Sequence, residues 1–278
     1  MLCNYHTHST FCDGKESISS IVKRAVDLRF DHLGFSSHAP VPHENNFAIR
    51  DELIPEYIKE IQFWQKQQTT LNIFVGLECD FIPEVTRDFS YYKQKYSLDY
   101  IIGGVHLVKE NISGKLWFID GSKREIYDRG IYELYNGNVQ KAVTAFWEQT
   151  FEMIETQSFD IIAHLDKIKM HNQNRFFNQK ESWYRNLVVK ALDLIKLHNI
   201  IVEINSRGLY KNRCNEFYPC DFILQEISKR DIPCIFSSDA HKSSELLLYY
   251  EEALDKLRQN NIFRMFYLDN GFWREYAI

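Results

Sequence analysis

Residues 71–78 read LNIFVGLE, a short and almost continuous apolar run that ends on a glutamate. Its length and its branched apolar residues are typical of a β-strand that is buried on both faces. Six further runs of this kind are spaced along the chain: LCNY (2–5), HLGFS (32–36), LDYIIGGV (98–105), FDIIAHL (159–165), NIIVEIN (199–205) and IPCIFSS (232–238). The sequence therefore predicts seven buried strands.

Longer amphipathic segments separate these strands. Apolar residues recur in them at i, i+3, i+4 and i+7, the spacing of a helix with one buried face. The segments are 18–29, 53–67, 85–96, 139–155, 182–198, 220–230 and about 243–259. Buried strands that alternate with helices indicate an α/β fold with a parallel sheet, and seven such units favour one closed barrel, a single domain over residues 1–278. A doubly wound open sheet is the alternative, but no G-x-G-x-x-G follows the first strand, which disfavours a nucleotide-binding version.

The composition narrows the class of protein. With 45% hydrophobic residues, 26% charged residues and a net charge of −5, the chain is typical of globular proteins and lacks the basic balance of nucleic-acid binders. No apolar run approaches the length of a membrane span and no signal peptide precedes His6, so we expect a soluble, cytoplasmic protein. The six cysteines are scattered without a C-x-x-C pair, and we expect them to be reduced thiols.

Ionisable side chains mark the carboxyl ends of the predicted strands, where a parallel barrel has its active site. In strand order they are His6 and His8, then His38, Glu78, His106, His164, and finally Asp239 with His241. Residues i and i+2 of a strand point to the same face, so the two members of each i, i+2 pair aim together. The pattern therefore predicts that all these side chains meet at the mouth of the barrel.

Imidazole and carboxylate groups together are the ligand set of Zn, Mn or Fe. A single histidine beside an apolar strand is more often a hydrogen-bonded core residue than a ligand. Here, however, eight groups recur at successive strand ends, more than one ion can hold, and burying them without a metal would be costly. The joint pattern predicts two or three divalent ions that share a bridging carboxylate.

The segments that carry these residues resemble the PHP (polymerase and histidinol phosphatase) superfamily, specifically its histidinol-phosphatase type. The matching segments are YHTHSTFCDG (5–14), LGFSSHAPVP (33–42), VGLECDF (75–81), DYIIGGVHLV (99–108), FDIIAHLDKIK (159–169), EINSRGLYK (203–211) and IFSSDAH (235–241). They run in family order along nearly the whole chain. The resemblance implies a distorted (β/α)7 barrel with a trinuclear metal centre.

The resemblance also implies a ligand set, transferred position by position. The first ion is held by His6, His8, Glu78 and Asp239; Glu78 bridges to a second, completed by His106 and His164; and Asp13, His38 and His241 hold the third. Related proteins often carry a histidine near position 13, where this chain has Asp13. The third ion is therefore the least well specified of the three.

The implied activity is that of a metal-dependent phosphomonoesterase that hydrolyses L-histidinol phosphate in histidine biosynthesis. Clustered divalent ions neutralise a phosphate dianion and activate water for in-line attack. The departing alkoxide needs a proton or a metal contact, and the candidates for the proton donor are Asp13 and a metal-bound water. One alternative is a PHP-type phosphoesterase acting on a nucleotide 3′,5′-bisphosphate, an oligonucleotide end or phosphotyrosine. Another is a non-catalytic metal-binding module.

Cationic side chains near the strand ends are candidates for the phosphate oxygens that no metal holds. Arg207 is the candidate for both catalysis and phosphate binding, and Lys169, Arg175 and Lys211 are further candidates for phosphate binding. Trp117, in SGKLWFIDG (113–121), is a candidate for an aromatic contact from a lid. For each of these residues, exposure to solvent or packing against the barrel rim is the alternative interpretation.

Overall fold

The computed structural model describes residues 1–278. Its strands are β1 Cys3–Asn4, β2 His32–His38, β3 Asn72–Asp80, β4 Tyr100–Gly104, β5 Leu107–Lys109, β6 Leu116–Phe118, β7 Ile161–Ile162, β8 Ile201–Asn205, β9 Cys234–Ser237, β10 Arg264–Asp269 and β11 Phe272–Ala277. Its α-helices are α1 Ile18–Asp27, α2 Ile54–Gln67, α3 Phe89–Tyr96, α4 Arg124–Tyr135, α5 Val139–Thr156, α6 Ser182–Leu197, α7 Arg207–Tyr210, α8 Asp221–Arg230 and α9 Tyr250–Gln259. None of these helices is long and apolar enough to cross a membrane.

Seven of the strands form one parallel sheet in the order β1-β2-β3-β4-β7-β8-β9. The two edge strands approach each other, and a parallel bridge joins Thr7 to Ala240 just beyond them. Across this seam His8 N donates to Ala240 O at 2.8 Å and Ala240 N donates to His6 O at 3.1 Å. The sheet is thus a nearly closed barrel, which confirms the predicted (β/α)7 architecture and excludes the open sheet.

The helices cover the barrel because each has one apolar face. In α1, for example, Ile18, Ile21, Val22 and Ala25 are buried in the large core between helices and strands. Ser17 caps this helix by accepting a hydrogen bond from Ser20 N at 3.2 Å. The same pattern of buried faces holds the other long helices against the outside of the sheet.

A second, smaller apolar cluster fills the inside of the barrel and includes Tyr5, Tyr100 and Leu268. The antiparallel hairpin β10–β11 covers this cluster at the amino ends of the strands: Leu268 N donates to Tyr5 Oη at 2.8 Å, and Trp273 Nε1 donates to Asp160 Oδ1 at 3.2 Å. The interior is therefore apolar at one end, and its polar residues collect at the other.

Helix α4 and both hairpins, β5–β6 and β10–β11, were not predicted. Two predicted helices also begin later than their apolar pattern suggested. Helix α3 begins at Phe89 because residues 82–86 form a turn in which Thr86 Oγ1 bonds the backbone of Ile82. Helix α9 begins at Tyr250, after a short 3-10 helix at Ser243–Glu245.

Candidate metal centre

The eight ionisable side chains of the strand ends, together with Asp13, meet at the carboxyl end of the barrel. His38 is the last residue of β2 and Glu78 lies near the end of β3. The register of these strands places His38 directly beside Glu78. The remaining members follow the ends of four other strands: His6 and His8 after β1, His106 after β4, His164 after β7, and Asp239 with His241 after β9.

Glu78 lies at the centre of the group and is 1% exposed. Its Oε2 is 2.9 Å from His38 Nδ1 and 3.1 Å from His6 Nε2. Its Oε1 is 3.1 Å from His164 Nε2 and 3.3 Å from His106 Nε2. The two oxygens of one carboxylate thus face two sets of imidazoles, as a bridging ligand requires.

Asp239 and Asp13 extend the cluster on either side of His241. Asp239 Oδ1 is 3.4 Å from His8 Nε2 and 3.5 Å from His241 Nδ1. Asp13 Oδ1 is 3.0 Å from His241 Nε2 and 3.9 Å from His38 Nε2. Every carboxylate of the cluster therefore has imidazole nitrogens of two or more strands beside it.

Four of the buried ligand atoms lack the hydrogen bonds that a metal-free site would need. His6 Nε2, His8 Nε2, Asp13 Oδ1 and Glu78 Oε2 are all inaccessible to solvent and without a hydrogen-bond partner. Three groups of residues in the cluster have ligand atoms within 4.8 Å of one another. They are His8, Asp13, His38 and His241; His6, His8 and Asp239; and His38, Glu78 and His106. Unpaired imidazole and carboxylate atoms that converge in this way fit divalent metal ions.

The electrostatics divide the histidines of the cluster. Burial opposes the charge on His6 and His106, but Glu203 and Glu78 hold the pKa of His6 well above its ordinary value, and Asp120 and Glu78 raise that of His106 to about 10. Burial opposes ionisation of Glu78, but the imidazoles of His38, His6 and His106 outweigh it and hold the pKa of this carboxyl well below its ordinary value. Burial, reinforced by Lys167, lowers the pKa of His164 to about 4. Burial and the neighbouring His241 and His38 hold the pKa of His8 well below its ordinary value. Ionised carboxylate and neutral imidazole are the forms in which these groups bind metals.

A cavity of about 320 Å³ opens above the cluster. Arg207 lines it, and its Nη1 is 2.7 Å from Asp239 O and 2.8 Å from His241 Nδ1. On the side of His106, Lys167 places its Nζ 2.7 Å from Asp120 Oδ2. Two cations therefore flank the cluster within one cavity.

Of the residues predicted to bind substrate, only Arg207 lines this cavity. Lys169 faces a different and larger cavity of about 580 Å³, where its Nζ lies 2.7 Å from Asp166 Oδ2 and 3.2 Å from Glu216 Oε1. Lys167 and Lys169 belong to one 3-10 helix, Lys167–Lys169, and their side chains diverge. The expectation for Lys169 is therefore corrected: Lys167 takes the place beside the cluster.

Two further candidates for phosphate binding, Arg175 and Lys211, also point away from the cavity. Arg175 forms a two-pronged ion pair with Asp128, at 2.6 and 2.8 Å. Lys211 Nζ is paired with Glu245 Oε1 at 2.6 Å. Neither side chain lines the cavity above the cluster.

Trp117 is 1% exposed and donates from Nε1 to Tyr127 O at 3.0 Å. It packs against Gly130 of α4, where an added Cβ would lie 2.0 Å from Trp117 Cδ1. Because residues of a strand alternate in direction, the adjacent Phe118 faces the cavity instead.

Several residues of the site were missed by the sequence reasoning. Phe47 and Phe118 line the cavity with rings stacked at 6.2 Å, and Asp120 and Lys167 form the buried ion pair described above. Glu203 lies within β8 and contacts His6 Nδ1 at 2.6 Å. The available signal for Glu203 was a carboxylate inside the apolar run NIIVEIN.

The sequence pattern of the PHP domain matches residues 4–207. The chain belongs to the PHP domain family. A probable histidinol-phosphatase of Deinococcus radiodurans is 26% identical over 266 residues, which cover 92% of this chain and 93% of that protein.

Two solved structures share the fold of this PHP protein. A candidate histidinol phosphatase of Listeria monocytogenes superposes with a TM-score of 0.81 at 23% identity, covering 90% of this chain and 99% of that one. The histidinol phosphate phosphatase of Lactococcus lactis, solved with zinc, L-histidinol and phosphate, superposes with a TM-score of 0.68 at 16% identity, covering 98% of each chain.

Proposed function

We propose that this chain is a metal-dependent phosphomonoesterase that hydrolyses L-histidinol phosphate to L-histidinol and phosphate. The observation that carries the proposal is the convergence of six imidazoles and two further carboxylates around Glu78, with Arg207 and Lys167 in the same cavity. The curated relative named above as a probable histidinol-phosphatase, aligned over nearly its whole length, supports the choice of substrate. The proposal treats residues 1–278 as one metallophosphoesterase domain.

The proposed ligand set has three parts. His6, His8, Glu78 and Asp239 would hold one ion, Glu78 with His106 and His164 a second, and Asp13, His38 and His241 a third. The distances within each part, and the unpaired buried atoms that face its centre, support this assignment. When bound, divalent ions at these positions would neutralise the phosphate dianion and lower the pKa of a water molecule.

Arg207 and Lys167 are proposed to hold the phosphate oxygens from opposite sides. The guanidinium is fixed in place because Arg207 Nη1 also bonds Tyr210 Oη at 3.1 Å, and the Lys167 ammonium is fixed by Asp120. Groups that are positioned before the substrate arrives lose little freedom on binding it. Their charge would also stabilise the charge that develops in the transition state.

Asp13 is proposed to move the proton. Its side chain is 29% exposed, whereas those of Glu78 and Asp239 are 1% and 5% exposed, so it is the carboxylate of the cluster that substrate and water reach. Asp13 Oδ2, which is not among the inaccessible atoms of the cluster, would accept the proton that water loses as it attacks phosphorus. As the phosphorus–oxygen bond of the ester breaks, Asp13 would pass this proton to the leaving alkoxide oxygen, which departs as an alcohol.

The apolar part of the cavity favours a substrate that carries a flat ring. Its only hydrophobic lining residues are Phe47 and Phe118, whose rings lie 30° from parallel. An imidazole can stack on such a surface while the phosphate reaches the cluster. An aliphatic phosphate would leave this surface unused, and the net charge of −5 disfavours an oligonucleotide.

The proposal is tested with a panel of phosphate esters on purified, metal-loaded protein. We expect kcat/KM for L-histidinol phosphate to exceed the values for phosphotyrosine and for a nucleoside 3′,5′-bisphosphate by at least about tenfold, since a matched pocket commonly discriminates by this much. Release of inorganic phosphate measures all three reactions. Faster turnover of either competitor would mean that this competitor, not L-histidinol phosphate, is the substrate. If no ester is hydrolysed, the chain is a metal-binding module without this activity.

A further inference from the structure

Glu203 is a fully buried carboxylate inside the barrel. Alternate residues of β8 face opposite sides: Ile201 belongs to the apolar cluster of the barrel interior, whereas Val202 and Ile204 belong to the outer core. Glu203 therefore points inward, between the apolar interior and the proposed metal ligands. A carboxylate in this position is costly unless hydrogen-bond donors surround it.

Glu203 meets that need through residues of the metal centre. Its Oε1 is 2.6 Å from His6 Nδ1, and its Oε2 accepts hydrogen bonds from His164 N at 2.8 Å and from Asn205 Nδ2 at 2.9 Å. Asn205 Nδ2 also lies 3.5 Å from Asp239 Oδ2. One carboxylate thus links residues at the carboxyl ends of three different strands, and its one ion-pair contact is His6.

These contacts determine how two of the proposed ligands are presented. A carboxylate only accepts, so a neutral His6 ring carries its proton on Nδ1, and the lone pair of Nε2 is then on the side of Glu78 Oε2, 3.1 Å away. His164 has a left-handed backbone with φ of 29°, which is unfavourable for a residue with a side chain. The hydrogen bond from His164 N to Glu203 holds the backbone in this conformation.

We propose that Glu203 is a positioning residue of the metal centre: it orients the ring of His6 and anchors the backbone of His164 without contacting the metal or the substrate. The inference rests on the proposed metal centre. Carboxylates that hold the far nitrogen of a ligating histidine raise its basicity and fix its orientation. Affinity for divalent metal should therefore depend on Glu203.

Glu203→Gln is the decisive substitution, with zinc as the probe. In the glutamine variant an NH2 group replaces one of the two acceptor oxygens. This NH2 group would face another donor, either His6 Nδ1 or His164 N, and one of the two hydrogen bonds would be lost. We expect zinc affinity, measured by competition with a chelator, to fall about 10- to 100-fold while the circular dichroism spectrum stays unchanged. The increase in unfolding temperature that zinc produces should shrink accordingly.

Asp160→Asn is the matched control. Asp160 also accepts three hydrogen bonds, from Ile101 N, Lys93 Nζ and Trp273 Nε1, but at the opposite end of the barrel. This variant should lower the unfolding temperature and leave zinc affinity within about threefold of the wild type, as expected for a site with no shared partners. Loss of zinc affinity in both variants to the same degree would overturn the positioning role.

His6→Ala separates failure of this inference from failure of the proposed function. If His6→Ala loses zinc and Glu203→Gln keeps wild-type affinity, the role of Glu203 is wrong and the metal centre stands. If neither variant changes zinc binding, the ligand assignment is wrong as well. Should Glu203→Gln not fold, nitrogen-15 spectra of the zinc-loaded wild type decide: His6 protonated at Nδ1 alone supports the proposal, and a proton on Nε2 overturns it.

Discussion

Lys167 and Lys169 lie in the same 3-10 helix, yet their ammonium groups enter different cavities. Lys167 pairs with Asp120 in the cavity above the cluster, whereas Lys169 pairs with Asp166 beside the larger cavity. The motif HLDKIK offers both lysines at the end of one strand, and no feature of the sequence specifies the rotation of a single helical turn. For this reason the residues that the sequence predicts at the site include Lys169, which faces another cavity, and omit Lys167. Arg207 and the proposed metal ligands do lie together at the carboxyl end of the barrel.

The two lysines support a paired prediction. Lys167→Met removes a proposed phosphate contact, so we expect kcat/KM to fall about 100-fold, as when one positioned donor is lost from an active site. Lys169→Met should keep kcat/KM within about threefold. It should also lower the free energy of unfolding by about 3–5 kcal/mol, because Asp166 stays buried without its cation.

Steady-state kinetics and urea unfolding of both variants measure these effects. The reverse outcome, with activity lost in Lys169→Met and kept in Lys167→Met, would restore the original expectation for Lys169.

Among the structural elements, the hairpin β10–β11 was not predicted from the alternation of helices and strands, although the sequence contains a signal for it. Residues 264–277 alternate around Asn270-Gly271, a strong hairpin signal, and both turn residues have positive φ, 49° and 80°. The seven strands were easier to predict because they are apolar on both faces. Helix α4 was missed because Gly130 interrupts its pattern; the glycine is there to make room for Trp117.

The hairpin is expected to stabilise the barrel without taking part in the chemistry. The ring of Trp273 lies 5.2 Å from that of Tyr5 and 6.3 Å from that of Tyr100. Trp273→Ala should therefore lower the free energy of unfolding by about 2 kcal/mol, less than for a fully buried tryptophan because the side chain is half-buried. Zinc affinity and kcat should not change.

Phe272→Ala provides the control for this variant, because Phe272 is 70% exposed and its loss should cost no more than about 0.5 kcal/mol. Thermal or urea unfolding of the two metal-free variants makes the comparison. Equal stability losses would mean that the hairpin packs on the barrel differently.

In the molecule as a whole, the proposed metal ligands lie on both sides of the seam that closes the barrel. Strand β1 has only two residues. The seam is joined by two backbone hydrogen bonds between residues 6–8 and Ala240, by Lys15 N to His241 O at 2.7 Å, and by Asn4 Nδ2 to Ser238 Oγ at 2.6 Å. His6 and His8 lie on one side of it, with Asp239 and His241 on the other. An ion shared by these residues would tie the first strand to the last.

Removal of metal should therefore loosen the seam before the rest of the sheet. On chelation we expect amide hydrogen exchange at His8 and Ala240 to accelerate at least about tenfold, because local opening there no longer requires release of an ion. The amides of β3, which pairs with strands on both sides, serve as the internal control and should change far less. Adding zinc back should restore slow exchange at both positions. Equal acceleration throughout the sheet would instead show that the metal stabilises the barrel as one cooperative unit, and unchanged exchange at the seam would place the ions away from His6, His8 and Asp239.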